Sequence, residues 1–549
     1  MLETIVSKRA EVNARIHERP EFSEPLSSQE TDLLNLSVQD AVERVQTGEI
    51  ESAKLVLSYI KQTVKAQKVI NAVTEPLFSD ALKWAKDVPL DKPLSGFPVS
   101  FKDTVKIRGY DTTIGYASMI GIPAVSDSPI VRLLKDAGAI PFAKTNIPMT
   151  LLSFECTNDV FGSTENPHKK GYCPGGSSGG ESALLAYGGS RIGIGTDVAG
   201  SVRLPAHFAG CYSLKCSTTR FPKAGCGTSM PGQDGIPAVY SPMARTLGDL
   251  IYFTRSFIGM KPWTYDYSCV ELPWRDYTPP SKFKVGVIWS DNIVRPSPAC
   301  ARALQVTVDA LKAANHEIVD FTVPEPLEAL KIASHLLMSD AGLLVGRNRT
   351  WRENNDPGVA RALRYMRLPW IFRKLYTLYV RYIRRDPIWA DLISDFKLQS
   401  LPEYWSYIYK REMYKEKFFE EFNKSGVDIL ITVPNATPAF PHGGLYNSWS
   451  SCGYTFLFNL LDYSAGVLPV LKVDKEQDKL PDDFKPQNGI EEGAYLNYDA
   501  EKMHGLPCGI EVVGRRLEEE KVLSYMGAIE KALHSNGTIY EILPVSYTT

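Results

Sequence analysis

At 549 residues, with 44% hydrophobic and 23% charged side chains, the chain has ordinary globular composition and apolar material for a large core. A net charge of −2 excludes a nucleic-acid partner on bulk electrostatics. Length alone suits about three domains at ~100–200 residues each, although large α/β enzymes exceed that size as one unit. The nine cysteines (Cys156, Cys173, Cys211, Cys216, Cys226, Cys269, Cys300, Cys452 and Cys508) are odd in number and form no CxxC pair, which predicts reduced thiols in a reducing compartment. The N-terminus carries Glu3, Lys8 and Arg9 where a secretory leader needs apolar residues, and no uncharged apolar run approaches a membrane span. The expected location is cytoplasmic.

In chain order, residues 1–75 read as a polar helical segment that packs on the core, with a helix starting near Leu36–Val42. From residue 76 to 549 the texture is that of a single α/β domain. Short β-rich runs appear at 97–101, 139–143, 284–288, 428–432 and 509–513, and helix-like segments at 128–137, 299–314 and 517–534 lie between them. Strands alternating with helices predict an α/β fold around a mixed, mostly parallel sheet. Residues 260–282 read as a connecting loop, and the charged stretch 476–500 as an exposed insertion.

One segment departs from this texture. Arg361–Arg385 holds eight Arg or Lys and no Asp or Glu, interleaved with Trp370, Phe372, Tyr376, Tyr379 and Tyr382. Leu375, Leu378, Tyr379 and Tyr382 fall on one helical face. Two readings are open: a surface helix docked on the core with its arginine stems laid along it, or a basic amphipathic helix on an anionic membrane.

The chemistry concentrates between Gly175 and Arg203. Gly175-Gly176-Ser177-Ser178-Gly179-Gly180 and Gly195-Thr196-Asp197-Val198-Ala199-Gly200-Ser201-Val202-Arg203 set serines in glycine-flanked backbone. Glycines let backbone amides approach a reacting oxygen, and a serine nucleophile needs a base beside it. The eight histidines (17, 168, 207, 316, 335, 442, 504 and 534) sit in undistinguished settings. His207, six residues after Ser201, reads as a packing residue. Ser201 lies in no Gly-x-Ser-x-Gly elbow, and no Gly-Lys-[Ser/Thr] completes a phosphate loop. Lys102 follows the apolar run Gly96–Phe101, so it falls at the C-terminal end of a strand, where α/β sheets place ligands. Desolvated there, a lysine can act as a neutral base near pH ~7–8, although most lysines are solvated charges.

Taken in order, Gly96–Asp103, Lys144-Thr145-Asn146, Gly162–Pro167, Gly175–Glu181, Gly195–Ala206, Pro242–Arg245, Gly505-Leu506-Pro507 and Val513–Arg516 resemble the amidase signature family over residues 35–540. Residues 453–470, Pro262–Asp266 and Leu272–Arg275 are most similar to fungal acetamidase-type amidases. Ser153–Cys156 and Arg367–Trp370 resemble fatty acid amide hydrolases. The resemblance implies the amidase-signature fold, a large twisted sheet covered by helices on both faces, and a Ser–cis-Ser–Lys triad. Ser201 would be the nucleophile, Ser177, after a cis peptide, the bridging serine and Lys102 the base. The amides of Val198, Ala199, Gly200 and Ser201 would hold the oxyanion, and Leu151 would line the substrate pocket. Ser178, Asp197 and Arg203 would support the loops. No metal or organic cofactor is implied. Ala199 replaces a glycine of the family pattern and adds a methyl beside the oxyanion loop.

The expected function is hydrolysis of a carboxylic amide to acid and ammonia or amine, with short-chain amides favoured by the acetamidase likeness. The alternative is a membrane-surface hydrolase of long-chain amides that uses 361–385. Less favoured are an amidase subunit of a tRNA-dependent transamidating complex and a non-catalytic binding protein. A small-molecule amide is the expected partner, and the resemblance leaves a homodimer open.

Overall fold

The structure is a computed structural model and describes residues 1–394 and 396–545. Its strands are β1 Val73–Pro76, β2 Pro98–Lys102, β3 Ile140–Thr145, β4 Thr157–Asn158, β5 Gly162–Ser163, β6 Ile192–Asp197, β7 Tyr212–Lys215, β8 Val239–Ala244, β9 Lys284–Val287, β10 Glu317–Asp320, β11 Ile429–Thr432, β12 Ala465–Lys472 and β13 Pro507–Val513. Apart from the β4–β5 pair they form one eleven-stranded sheet in the order β1-β3-β2-β6-β8-β7-β12-β13-β11-β9-β10. The sheet is mixed. Strands β3, β2 and β6 run parallel on one flank and β11, β9 and β10 on the other, and the pairings between those flanks are antiparallel. Every residue of β2, β3, β6, β8 and β13 is buried, which requires cover on both faces.

This topology sets where the chemistry sits. In β2, Phe101 pairs with Ile194 of β6 and Lys102 with Thr145 of β3. Because β2 and β6 are parallel, Lys102 and Thr196-Asp197 emerge at the same sheet end. The helix Gly179–Tyr187 leads into β6, and Arg203–Ala209 follows it after a short turn. Gly180 is a glycine for lack of room: a Cβ there would lie 2.3 Å from the Asn146 amide nitrogen.

The segment 1–75 contributes more than helices laid on the core. It supplies the edge strand β1, antiparallel to β3, and the helix Ser52–Ile70, much of which is buried. Residues 476–500 also differ from the exposed insertion expected. Asp478 and Glu491 are fully buried and bind Arg302 at 2.7 Å and Arg295 at 2.8 Å, so two buried carboxylates anchor the stretch. The basic segment 361–385 becomes the helices Pro357–Met366 and Trp370–Leu378 and a π-helical turn, Tyr379–Ile383. No residue of Trp370–Leu378 is fully buried, but Tyr376 packs against the core and Val380 in the following turn is completely buried, so the segment is docked by one edge with the rest of its surface exposed.

The first helix, Leu2–Ile16, buries Ile5, Lys8, Val12 and Ile16, a stripe at helical spacing with a charge in its seam. Lys8 is 2% exposed and its ammonium meets Glu75 of β1 and Asp111, the latter at 2.9 Å. Burial pushes the Lys8 amine down, but the two carboxylates outweigh it and its pKa ends raised. Arg15 adds a 2.8 Å contact to Glu75. Lys8→Met keeps the apolar stem, takes the cation from buried Asp111 and leaves buried Glu75 with Arg15 alone. It should lower stability in urea by about 3 kcal/mol. An unchanged unfolding midpoint would show that the ammonium does not hold this helix to β1.

Candidate active site

Lys102 ends β2 and is completely buried. Its Nζ lies 2.7 Å from Ser177 Oγ and 2.6 Å from Thr196 Oγ1, and both partners are uncharged hydroxyls. Burial lowers the amine to about 7, against smaller opposing contributions from Asp197, Cys156 and Glu181. Ser177 follows a cis peptide bond from Gly176 and is 1% exposed. A Cβ on Gly176 would stand 2.5 Å from the Ser153 carbonyl, so this approach of two loops requires glycine. Ser178 points elsewhere. Its amide donates to the Ser201 carbonyl at 3.1 Å, and its hydroxyl accepts from the Thr196 amide at 3.3 Å. It ties the two serine loops together.

Ser201 lies on the turn between β6 and the helix Arg203–Ala209. Asp197, the last residue of β6, organises that turn. It accepts from the amides of Gly200 at 2.9 Å and Val202 at 3.1 Å, from Arg203 Nη2 at 2.8 Å, and from Asn459 Nδ2 at 2.9 Å. Burial alone would raise its carboxyl; the Arg203 guanidinium outweighs that and holds it well below the usual range. Arg203 also donates to Glu511 Oε1 at 2.6 Å and to the Thr455 carbonyl at 2.9 Å. Burial pushes Glu511 up to about 7, with Arg203 opposing. The helix Gly453–Leu460 completes the brace, as the Thr455 hydroxyl donates to the Ala199 carbonyl at 2.8 Å.

One expected oxyanion donor is turned away. The Gly200 amide is committed to Asp197, because Gly200 adopts φ +121° under Thr455, where a Cβ would lie 2.4 Å from Oγ1. Among the described residues, the amides of Val198, Ala199 and Ser201 donate to no protein acceptor. His207 is completely buried, accepts from the Gly509 amide at 3.0 Å, and lies 3.3 Å from the Thr437 carbonyl, a packing role.

Ser201 opens onto two lobes. One, of about 110 Å³, is lined by apolar side chains including Phe154, Leu337, Met366, Trp449 and Phe456, with Ala199 in its wall. The other, of about 300 Å³, is lined by Ser177, Thr196, Thr228, Ser229, Lys223 and Gln233 among others. Leu151, held at φ +64°, borders both. Sequence reasoning missed Thr196, Thr455, Asn459 and Glu511. The signal for Glu511 was present as a lone carboxylate inside the apolar run 509–513. Thr455 and Asn459 gave none, since their contacts span more than 250 positions.

The Amidase family profile matches residues 54–523. An acetamidase of Emericella nidulans is 32% identical over 94% of this chain and 92% of its own length. A fatty-acid amide hydrolase 1 of Sus scrofa is 31% identical over 91% of this chain and 86% of its own. A solved fatty acid amide hydrolase superposes with a TM-score of 0.84 at 25% identity, covering 97% of this chain and 95% of that one.

The buried amine has a thermodynamic signature. The unfolded chain holds this proton up to its ordinary value near 10.5, whereas the folded chain releases it near 7. Between those limits the unfolded state binds more protons, so stability rises with pH. Wild type should therefore gain on Lys102→Met between about pH 7 and pH 9 in paired urea titrations. Parallel curves would mean that Lys102 stays charged in the fold.

Proposed function

This chain belongs to the amidase family, and we propose that it hydrolyses carboxylic amides through an acyl-enzyme on Ser201. The observation that carries this reading is the 2.7 Å contact between a fully buried Lys102 amine and Ser177. The neutral amine takes the Ser177 proton as Ser177 takes that of Ser201, and Ser201 Oγ attacks the carbonyl carbon. Charge developing on the carbonyl oxygen meets the amides of Val198, Ala199 and Ser201, and each such donor is worth about 10²–10³ in rate. The proton returns through Ser177 to the leaving nitrogen as the C–N bond breaks. Water then repeats the sequence and frees the acid. A protonated Lys102 cannot begin the relay, so activity falls below about pH 7.

The apolar lobe takes the acyl group. Among the described residues its lining holds no charge, and each methylene buried there is worth about 0.8 kcal/mol. This favours amides of extended apolar acids over the acetamide suggested by the sequence likeness. A second observation extends the reading to a lipid surface. Met366 lines the lobe and ends the helix Pro357–Met366, immediately before Trp370–Leu378. There Trp370, Phe372, Leu375 and Tyr382 are more than half exposed. Arg381 and Arg384 pair with Asp391 and Glu492, while Lys374 and Arg385 face no carboxylate among the described residues. Aromatic and aliphatic side chains among cations suit the surface of an anionic bilayer. Among the described residues no helix is long and apolar enough to cross a membrane, so the contact proposed is peripheral.

In a panel of primary amides from acetamide to dodecanamide, kcat/KM should rise with chain length, and Ser201→Ala should abolish turnover throughout. Turnover by Ser201→Ala overturns the mechanism, and loss of activity beyond a few carbons overturns the acyl assignment. Leu375→Asp with Leu378→Asp should cut co-sedimentation with phosphatidylserine vesicles at least tenfold, with hydrolysis of a soluble short amide unchanged. Equal sedimentation would remove the membrane reading.

A further inference from the structure

We propose that the second lobe selects amides whose leaving amine bears a carboxylate, N-acyl amino acids, and that Lys223 is the residue that reads it. The inference rests on the amidase reading of Ser201. With the acyl group in the apolar lobe, the amine side of the scissile bond is left to the other one. Thr150, Thr228, Ser229 and Gln233 line that lobe, with the Ser229 hydroxyl donating to the Thr150 carbonyl and the Gln233 amide tied to the Ile236 backbone, so its wall is polar but uncharged at these positions. Among the described residues that line either lobe, Lys223 is the one charged side chain.

Its placement is built into the fold. The backbone amides of Lys223 and Ala224 donate to Asp266 Oδ2 at 2.8 and 2.7 Å. Asp266 is 3% exposed, which fixes the turn. The Lys223 side chain is 46% exposed and meets a carboxylate only at the edge of contact, 3.9 Å from Asp234, itself 78% exposed. A cation at the margin of an otherwise uncharged lobe favours an anion on the departing group and disfavours a second cation. The reaction is unchanged. The C–N bond breaks, the nitrogen takes the proton returned through Ser177, and the amine leaves as an amino acid.

The test holds the acyl group constant and varies the amine: dodecanamide, N-dodecanoylethanolamine, N-dodecanoyl glycine, β-alanine and γ-aminobutyrate, and the cationic N-dodecanoylputrescine. Wild type should prefer at least one of the three acidic amides to the ethanolamide in kcat/KM, with putrescine poorest. The spacer with the strongest preference measures the reach of Lys223. Lys223→Met should remove about fivefold from the acidic substrates, the size an exposed ion pair commands, mostly in KM, and leave the ethanolamide unchanged. Lys223→Glu should invert the order of the acidic and cationic members. The preference should shrink as salt is raised to about 0.5 M. Hydrolysis of neutral amides without preference for an acidic one, or equal losses on all substrates in Lys223→Met, overturns this inference and leaves the Ser201 reading intact. Hydrolysis of no member overturns both.

Discussion

A primary amine keeps its proton in water because water solvates the charge. Enclosed by protein and touched by hydroxyls, the Lys102 amine loses that solvation. The proposed chemistry depends on this removal of water, and much of the surrounding charge is arranged so as not to undo it. Asp197 is near enough to draw the amine back toward its charged form. It is instead occupied by Arg203, bound through both Nε and Nη2. Asp103, the next residue in the chain, is held at 2.7 Å by Lys144 with both side chains fully buried. Asp197 and Asp103 are thus matched to cations other than Lys102, while Glu181 meets the hydroxyls of Ser100 and Thr145 and burial pushes it up to about 7.

The same ion pair also shapes the nucleophile turn. Asp197 faces two amides of the turn, a guanidinium and the Asn459 side-chain amide at once. Buried ion pairs add little net stability, but this one has few alternative geometries, since each oxygen is engaged. The helix Gly453–Leu460 closes it from above through Thr455 and Asn459, and Glu511 closes it from within the sheet. The turn is therefore fixed by groups from three distant parts of the chain.

Much of the fold was legible in the sequence. Runs of β-branched and aromatic residues gave the strands at 98–102, 140–145, 284–287, 429–432 and 507–513 to within a few positions. The strand-end position of Lys102 followed from the apolar run before it. Strand order was not legible, because pairing across the sheet joins segments hundreds of residues apart. The destination of the Gly200 amide was hidden for a local reason. A glycine-rich turn fits many dihedral sets, and the one adopted is chosen by Thr455, far along the chain. The basic segment showed its helical spacing in sequence but not its exposure, which depends on what the core leaves uncovered.

The apolar lobe has a consequence for the end of the cycle. A neutral amide enters it, but the product is a carboxylic acid that ionises at neutral pH. Among the described residues that lining holds no cation, so the carboxylate is met at Ser201, by the amides of Val198, Ala199 and Ser201, and only the alkyl tail lies in the lobe. The tail is gripped alike in substrate and product, by about 0.8 kcal/mol for each methylene. Longer acids therefore leave more slowly, and departure of the acid is the part of the cycle that chain length retards.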